Sequence, residues 1–342
     1  MKESISKKQG CKLHSGQKVV GRWQGNRYQI IKELGWGATG TVYLTRMNNN
    51  LAALKVGRDA MSITSEVNVL RHFSKVQGNH LGPSLFDVDD LVTSAGTFPF
   101  YVMEYLEGEE VIPFLKNRGQ EWIGILVVQL LSDLDRLHQE GWVFGDLKPE
   151  NLLVTGPPVR IRWFDVGGTT RMGRAVKEYT EFFDRGYWGL GGRKAEAPYD
   201  LFSVSMLMIN SAYPSRFDRN EKENLSYLMS RVSAKPALKH YEQIIKNGLL
   251  GRYNEAWEMR KALVDLIGQT SFRKPAKSQQ LVREKKAGPL KGEIPSKQPQ
   301  NRKAYKRKKR VEKKRSSGLV ETFLVASFLL LAYVLYLFVQ MM

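Results

Sequence analysis

Phe323–Met342 is a run of twenty residues without a formal charge, in which Ser327 and Gln340 are the only clearly polar side chains. As a helix, at about 1.5 Å per residue, it is roughly 30 Å long, which matches the hydrocarbon core of a bilayer. A buried helix of a soluble domain is seldom apolar on every side. The run therefore predicts one membrane-spanning helix within residues 319–342. Basic residues stand before it and none behind it, which orients the preceding chain to the cytoplasm. The expected arrangement is a single-pass tail anchor in the cell membrane, without an external sensor domain. The first twenty residues are polar and basic with no apolar run after them, so no secretory signal is read there.

The formal net charge of +19 is unevenly spread. Lys277–Gly318 carries sixteen Lys or Arg against three acids, whereas residues 1–276 hold 37 against 30. Tyr305 is the one aromatic in this stretch. Such a composition cannot bury enough apolar surface to offset chain entropy, so residues 276–318 read as a disordered basic linker. Its densest part, residues 302–315, contains Arg302, Lys303, Lys306, Arg307, Lys308, Lys309, Arg310, Lys313, Lys314 and Arg315. A flank for a membrane span needs only a few of these charges. Anionic lipid headgroups attract such a run by about 1 kcal/mol per cation. DNA is the third reading, since neutralising about 6–10 phosphates gives binding without sequence preference and with steep salt dependence. Lys313–Arg315 lie too near the span to leave the membrane surface, whereas Arg302–Arg310 can reach outward. The single Cys11 excludes an internal disulfide and offers no metal-ligand spacing.

The body, residues 27–275, reads as strands first and helices after, behind a basic extension of residues 1–26. Tyr28–Leu34, Val42–Thr45, Ala52–Val56 and Phe100–Met103 are rich in β-branched and aromatic residues. Ile123–His138 is apolar at helical spacing. Gly35-Trp36-Gly37-Ala38-Thr39-Gly40-Thr41-Val42 lies between two of the strand-like stretches, where glycines let backbone N–H groups approach phosphate oxygens. A dinucleotide-binding turn would open a helix instead. Lys55 sits inside the apolar Ala52–Val56 and requires a counter-charge. Glu66, which opens the helix-like run Glu66–Phe73, is the candidate, and a separation of eleven residues implies a short strand-to-helix connection. Asp146-Leu147-Lys148-Pro149-Glu150-Asn151 places an asparagine five residues after an aspartate, and Asp165 follows a strand-like Val159–Phe164. A carboxylate able to take a hydroxyl proton, beside oxygen ligands for a hard cation, is what phosphoryl transfer asks for.

Five elements in this order resemble the eukaryotic-type (Hanks-type) protein kinases across roughly residues 27–275. The resemblance implies an α+β bilobal kinase-like fold, with a sheet and one helix in the first lobe and a mainly helical second lobe. By the same resemblance Gly35, Gly37 and Gly40 cover the phosphates of ATP, and Val42 and Ala53 lie against adenine. Lys55, paired with Glu66, holds the α- and β-phosphates. Met103 is the gatekeeper, and the backbone of Glu104 and Leu106 meets adenine. Asp146 is the catalytic base, Lys148 steadies the transferring group, and Asn151 and Asp165 bind Mg²⁺. Lys148 is similar to the lysine of the serine/threonine class, Asp200 to the aspartate that braces the catalytic loop, and Arg273 to the arginine that closes the domain. Protein substrates, and self-association for autophosphorylation, are the implied partners.

The departures carry information too. Phe144-Gly145 replaces the usual His-Arg before the catalytic aspartate, and glycine cannot clamp a phosphorylated segment. Activity is therefore expected not to depend on phosphate at Thr169, Thr170 or Thr180. Asp165-Val166-Gly167 keeps the ligand and loses the aromatic of the usual Asp-Phe-Gly. Ala195-Glu196-Ala197-Pro198 lies too near Asp200 for the usual Ala-Pro-Glu. Gly145 also resembles the aminoglycoside kinases, and a pseudokinase scaffold is a further alternative. The layout of kinase domain, basic segment and terminal span resembles membrane-anchored kinases of spore-forming bacteria, in which the basic segment is regarded as DNA-binding.

Overall fold

The computed structural model describes residues 11–76, 81–220 and 223–272. The expected linker 276–318 with its basic run, the span at 319–342 and Arg273 lie outside them. Among the described residues no helix is long and apolar enough to cross a membrane.

A six-stranded antiparallel sheet is ordered β1-β2-β3-β4-β6-β5, from β1 (Lys18–Val20), β2 (Arg27–Trp36), β3 (Gly40–Met47), β4 (Asn50–Gly57), β5 (Leu85–Thr93) and β6 (Gly96–Glu104). The β3–β4 hairpin turns on Asn48 and Asn49, both with positive φ (46° and 70°), which suits the right-handed twist of the flanking strands. β1 pairs with β2 from Lys18↔Gln29 to Val20↔Arg27, and Leu13 and Val19 are buried in the sheet's core. Within the expected basic extension 1–26, strand β1 joins the sheet and Leu13 packs in its core, so the described part of that extension is bound to the folded body. β5 points Asp87, Asp89 and Leu91 inward. The two buried acids tie down the preceding chain, Asp89 accepting from the Trp23 and Gln24 N–H groups (2.9 Å each) and Asp87 from Asn26 and the Tyr28 hydroxyl.

Helix α1 (Ala60–Phe73) follows β4 after only two residues and is capped by Asp59, which accepts from the Ser62 N–H at 2.8 Å. A Cβ on Gly57 would come within 2.1 Å of Ile63, so glycine permits the tight joint. Glu66 lies mid-helix rather than opening it. Ser62 and Thr64, weak helix formers, conceal the first turn in the sequence.

The second lobe holds α2 (Val111–Arg118) and α3 (Trp122–Gln139), with three two-residue strands, β7 (Glu109–Glu110), β8 (Trp142–Val143) and, later, β11 (Thr170–Arg171). β9 (Leu152–Thr155) pairs with β7 and with β10 (Arg160–Trp163), and β8 pairs with β11. α4 (Ala197–Ala212) is buried over nearly its whole circumference, and α5 (Asn224–Ser233), α6 (Pro236–Lys239), α7 (Glu242–Leu249) and α8 (Ala256–Phe272) complete the lobe.

Candidate active site

The first lobe supplies the roof of the cleft. A Cβ on Gly40 would lie 2.2 Å from the Val56 carbonyl, so the sheet itself demands glycine there. A Cβ on Gly35 or Gly37 would meet nothing within 4 Å, so these two leave space that no atom of the described residues uses. Lys55 faces Val42 on one neighbouring strand and Tyr101 on the other, while Ala53 pairs with Met103. The Lys55 ammonium donates to both Glu66 oxygens at 2.8 and 2.7 Å, and both residues are buried. The Tyr101 hydroxyl donates to Glu66 Oε2 at 2.7 Å. Burial, then the Glu66 charge, pushes the Tyr101 phenol well up, so it stays a donor.

β6 leads into Glu104-Tyr105-Leu106 at the cleft edge. The Glu104 carboxylate turns to the Arg162 guanidinium (2.6 and 3.0 Å) and the Ser84 N–H (3.1 Å). Burial opposes its ionisation, but these partners hold it below the ordinary range. The Glu104 N–H is bound to the Ser84 carbonyl, and the Leu106 N–H has no partner among the described residues.

The floor belongs to the second lobe. Asp200, wholly buried, accepts from the Phe144 and Gly145 N–H groups (2.8 and 2.9 Å) and lies 2.9 Å from His138 Nε2. This fixes the loop that carries Asp146. The Lys148 ammonium donates to Asp146 Oδ2 at 2.5 Å, and the Thr180 hydroxyl donates to Asp146 Oδ1 at 3.0 Å. Asn151 donates its amide to the Asp146 carbonyl at 2.9 Å, which leaves Asn151 Oδ1 as an acceptor. Asp165 Oδ1 accepts from the Gly167 N–H at 2.9 Å. Among the described residues no cluster of three or more His, Cys, Asp or Glu forms a metal cage. Asn151 and Asp165 together offer the small oxygen-donor share that Mg²⁺ takes from a protein when substrate phosphates complete its shell.

Gly145 has φ +85°, and a Cβ there would lie 2.7 Å from the Gly168 carbonyl. No clamp arginine fits this position. The segment from Asp165 to Glu196 is ordered by other means. Backbone bonds join Gly173 to Ala195, Ala195 to Arg174 and Val176 to Arg193. Asp184, fully buried, accepts from the Gly186 and Tyr187 N–H groups, the Tyr199 hydroxyl (3.0 Å) and Arg193 (2.8 Å). Glu196, in the displaced Ala-Glu-Ala-Pro stretch, pairs with Arg185 at 2.6 Å. Thr169 and Thr170 are buried and Thr180 is bound to Asp146, so none of the segment's three threonines presents a free hydroxyl to solvent.

Four residues take roles at this site that the sequence reading did not assign to them. Tyr101 and Thr180 act on Glu66 and Asp146 through contacts distant in sequence, and Asp184 gathers its partners from Gly186, Tyr187, Arg193 and Tyr199 in irregular chain and at the start of α4. Glu178 is the fourth: burial, followed by the charges of Asp165 and Asp146, pushes its carboxyl up, and Lys55 opposes this.

A two-lobed body with a buried Lys–Glu pair above an Asp–Lys–Asn loop defines a phosphotransferase of the kinase class. The protein kinase domain family matches residues 28–282. Serine/threonine-protein kinase YabT of Bacillus subtilis (strain 168) is 48% identical over 289 residues, covering 83% of this chain and 85% of that protein. Probable serine/threonine-protein kinase CPE1738 of Clostridium perfringens is 28% identical over 56% of this chain and 29% of its own length. Cyclin-dependent kinase F-4 of Oryza sativa is 28% identical over 46% of this chain and 34% of its own length. The chain belongs to the protein kinase family, as a bacterial Hanks-type serine/threonine kinase similar to YabT.

Proposed function

We propose that the cleft binds ATP with Mg²⁺ and serves phosphoryl transfer to serine and threonine hydroxyls of proteins. The observation that carries this is the buried Lys55–Glu66–Tyr101 group set against Asp146, Lys148, Asn151 and Asp165. ATP with Mg²⁺ supplies the phosphoryl group and neutralises the charge around it. The chain's residues position and hold protons. The Leu106 N–H is free for an adenine acceptor, and Met103, Val42 and Ala53 line that end. Gly35 and Gly37 leave room for phosphates, and Lys55 is held by Glu66 where it can pair with them. Asn151 Oδ1 and Asp165 are the oxygen ligands. Asp146 takes the hydroxyl proton of the acceptor, and Lys148 holds charge beside it.

The domain sits on the cytoplasmic face of the membrane, anchored by residues 319–342, and is modulated through the basic run 302–315. Ten Lys or Arg with one acid in fourteen residues support DNA as its partner, with anionic lipid at Lys313–Arg315. Self-association serves autophosphorylation. The test uses the full chain in detergent with labelled ATP and Mg²⁺, with and without duplex DNA, beside Asp146→Ala. Label on protein that depends on Asp146 supports the reading, and label on an aminoglycoside alone sinks it. A DNA gel shift that persists after Arg302–Arg315 are neutralised sinks the assignment of that run.

A further inference from the structure

A groove of about 440 Å³ opens beside the catalytic loop, lined by Thr180, Phe182 and Tyr187 from one stretch of chain and Arg216, Phe217 and Asp218 from another. It starts at Thr180, which touches Asp146, so an acceptor hydroxyl presented to Asp146 brings its flanking residues here. The floor is aromatic and stiff: Phe182 packs edge-on against Phe217 (centroids 5.2 Å) and Trp188 (5.9 Å). At the rim, the Arg216 guanidinium pairs with Glu150, two residues beyond Lys148, and lies over the Phe183 ring at 4.9 Å. The backbone of Arg216 is left-handed, with φ 57°. Such a conformation is uncommon outside glycine, asparagine and aspartate and recurs where a residue serves as a clamp. The Glu150 side chain is 56% exposed. Apart from Arg216, it stands open to a cation on an incoming chain.

We propose that Arg216 is a specificity-determining residue: by occupying Glu150 it denies that carboxylate to arginine or lysine beside the acceptor serine or threonine. The enzyme is therefore indifferent to basic flanking residues, and losing Arg216 makes it select them. The inference rests on the reading of the cleft as a protein phosphotransfer site.

The experiment measures kcat and KM of the full chain in detergent on peptides with one serine, a single arginine being walked through every flanking position. The wild type should favour arginine at no position. Arg216→Ala should favour it at one or two positions, lowering KM by about threefold to fivefold, the size of an ion pair half open to water, with kcat unchanged. Adding Glu150→Gln should abolish the gain. Arg216→Gln, which keeps the reach over the rings, carries the test if the alanine variant fails to fold. The same peptide profile in wild type and variants, or a rise shared by all peptides whatever their charge, overturns the proposal alone. Peptides unlabelled by every variant that still binds ATP overturn the phosphotransfer reading and this proposal with it.

Discussion

Replacing Asp184 by asparagine removes a charge from a side chain with no solvent exposure and leaves its shape almost unchanged. Its carboxylate gathers two backbone N–H groups, the Tyr199 hydroxyl and the Arg193 guanidinium. An amide cannot accept from all four, and its NH₂ must face at least one donor. Breaking one side of a buried pair costs about 3–5 kcal/mol. Arg193, 43% exposed along its side chain, can turn to water, which places the cost near 3 kcal/mol, or roughly a hundredfold in the population of the ordered segment. Hydrogen exchange reads this directly, since the Gly186 and Tyr187 amides donate to Asp184 and should lose about two decades of protection. Kinase activity should fall with them. Thr169→Val should keep full activity, because the Thr169 hydroxyl is buried and has no partner among the described residues. Unchanged protection and activity in the asparagine variant, or a dead valine variant, refutes the claim that this segment is ordered without phosphate.

Other outcomes follow from the same geometry. Tyr101→Phe removes one of three hydrogen bonds on Glu66, a loss of about 1.5–3 kcal/mol, and should lower the melting temperature by several degrees and raise the KM for ATP. Gly145→Arg should inactivate rather than restore a clamp, because a side chain at positive φ meets the Gly168 carbonyl; circular dichroism and a kinase assay check it. Glu104 is held below its ordinary value, so its stabilisation is complete above the unfolded carboxyl's titration range and lost as pH falls through its lowered folded value. Glu104→Gln should therefore be less stable at neutral pH and show a flatter acid decline in denaturant melts.

The strands with β-branched and aromatic runs, the helix from Trp122 to Gln139 and the lysine within its apolar strand were legible because burial on one face imposes a period. β5 was not: its Leu85-Phe86-Asp87-Val88-Asp89-Asp90 turns acids inward, against the usual strand preference, and the donors of residues 23–28, with the Val88 and Asp90 N–H groups, make that tolerable. The glycine-rich loop was legible as a pattern, but the reason for Gly40, the Val56 carbonyl beneath it, belongs to the sheet. The pairing of Lys55 with Glu66 was readable as a need for counter-charge, whereas Tyr101 as their third partner was not, since an aromatic in an apolar strand looks like core. Asp184 and Glu178 sit in irregular chain, where no period distinguishes a buried acid from an exposed one.

The inward acids of β5 bear on where this enzyme can be cut for study. The family pattern begins at Tyr28, and a truncation made there would discard Trp23, Gln24 and Asn26 together with strand β1. Asp89 would then lose the Trp23 and Gln24 N–H groups and Asp87 the Asn26 amide, leaving Asp89 with the Asp90 N–H and Asp87 with the Tyr28 hydroxyl and the Val88 N–H. Such a fragment should come out of cells as aggregate or with a weakened first lobe, and its poor activity would be mistaken for a property of the enzyme. A start at or before Cys11 keeps the sheet whole, because the limits of a recognisable motif and those of the folded unit differ here by the seventeen residues from Cys11 to Arg27.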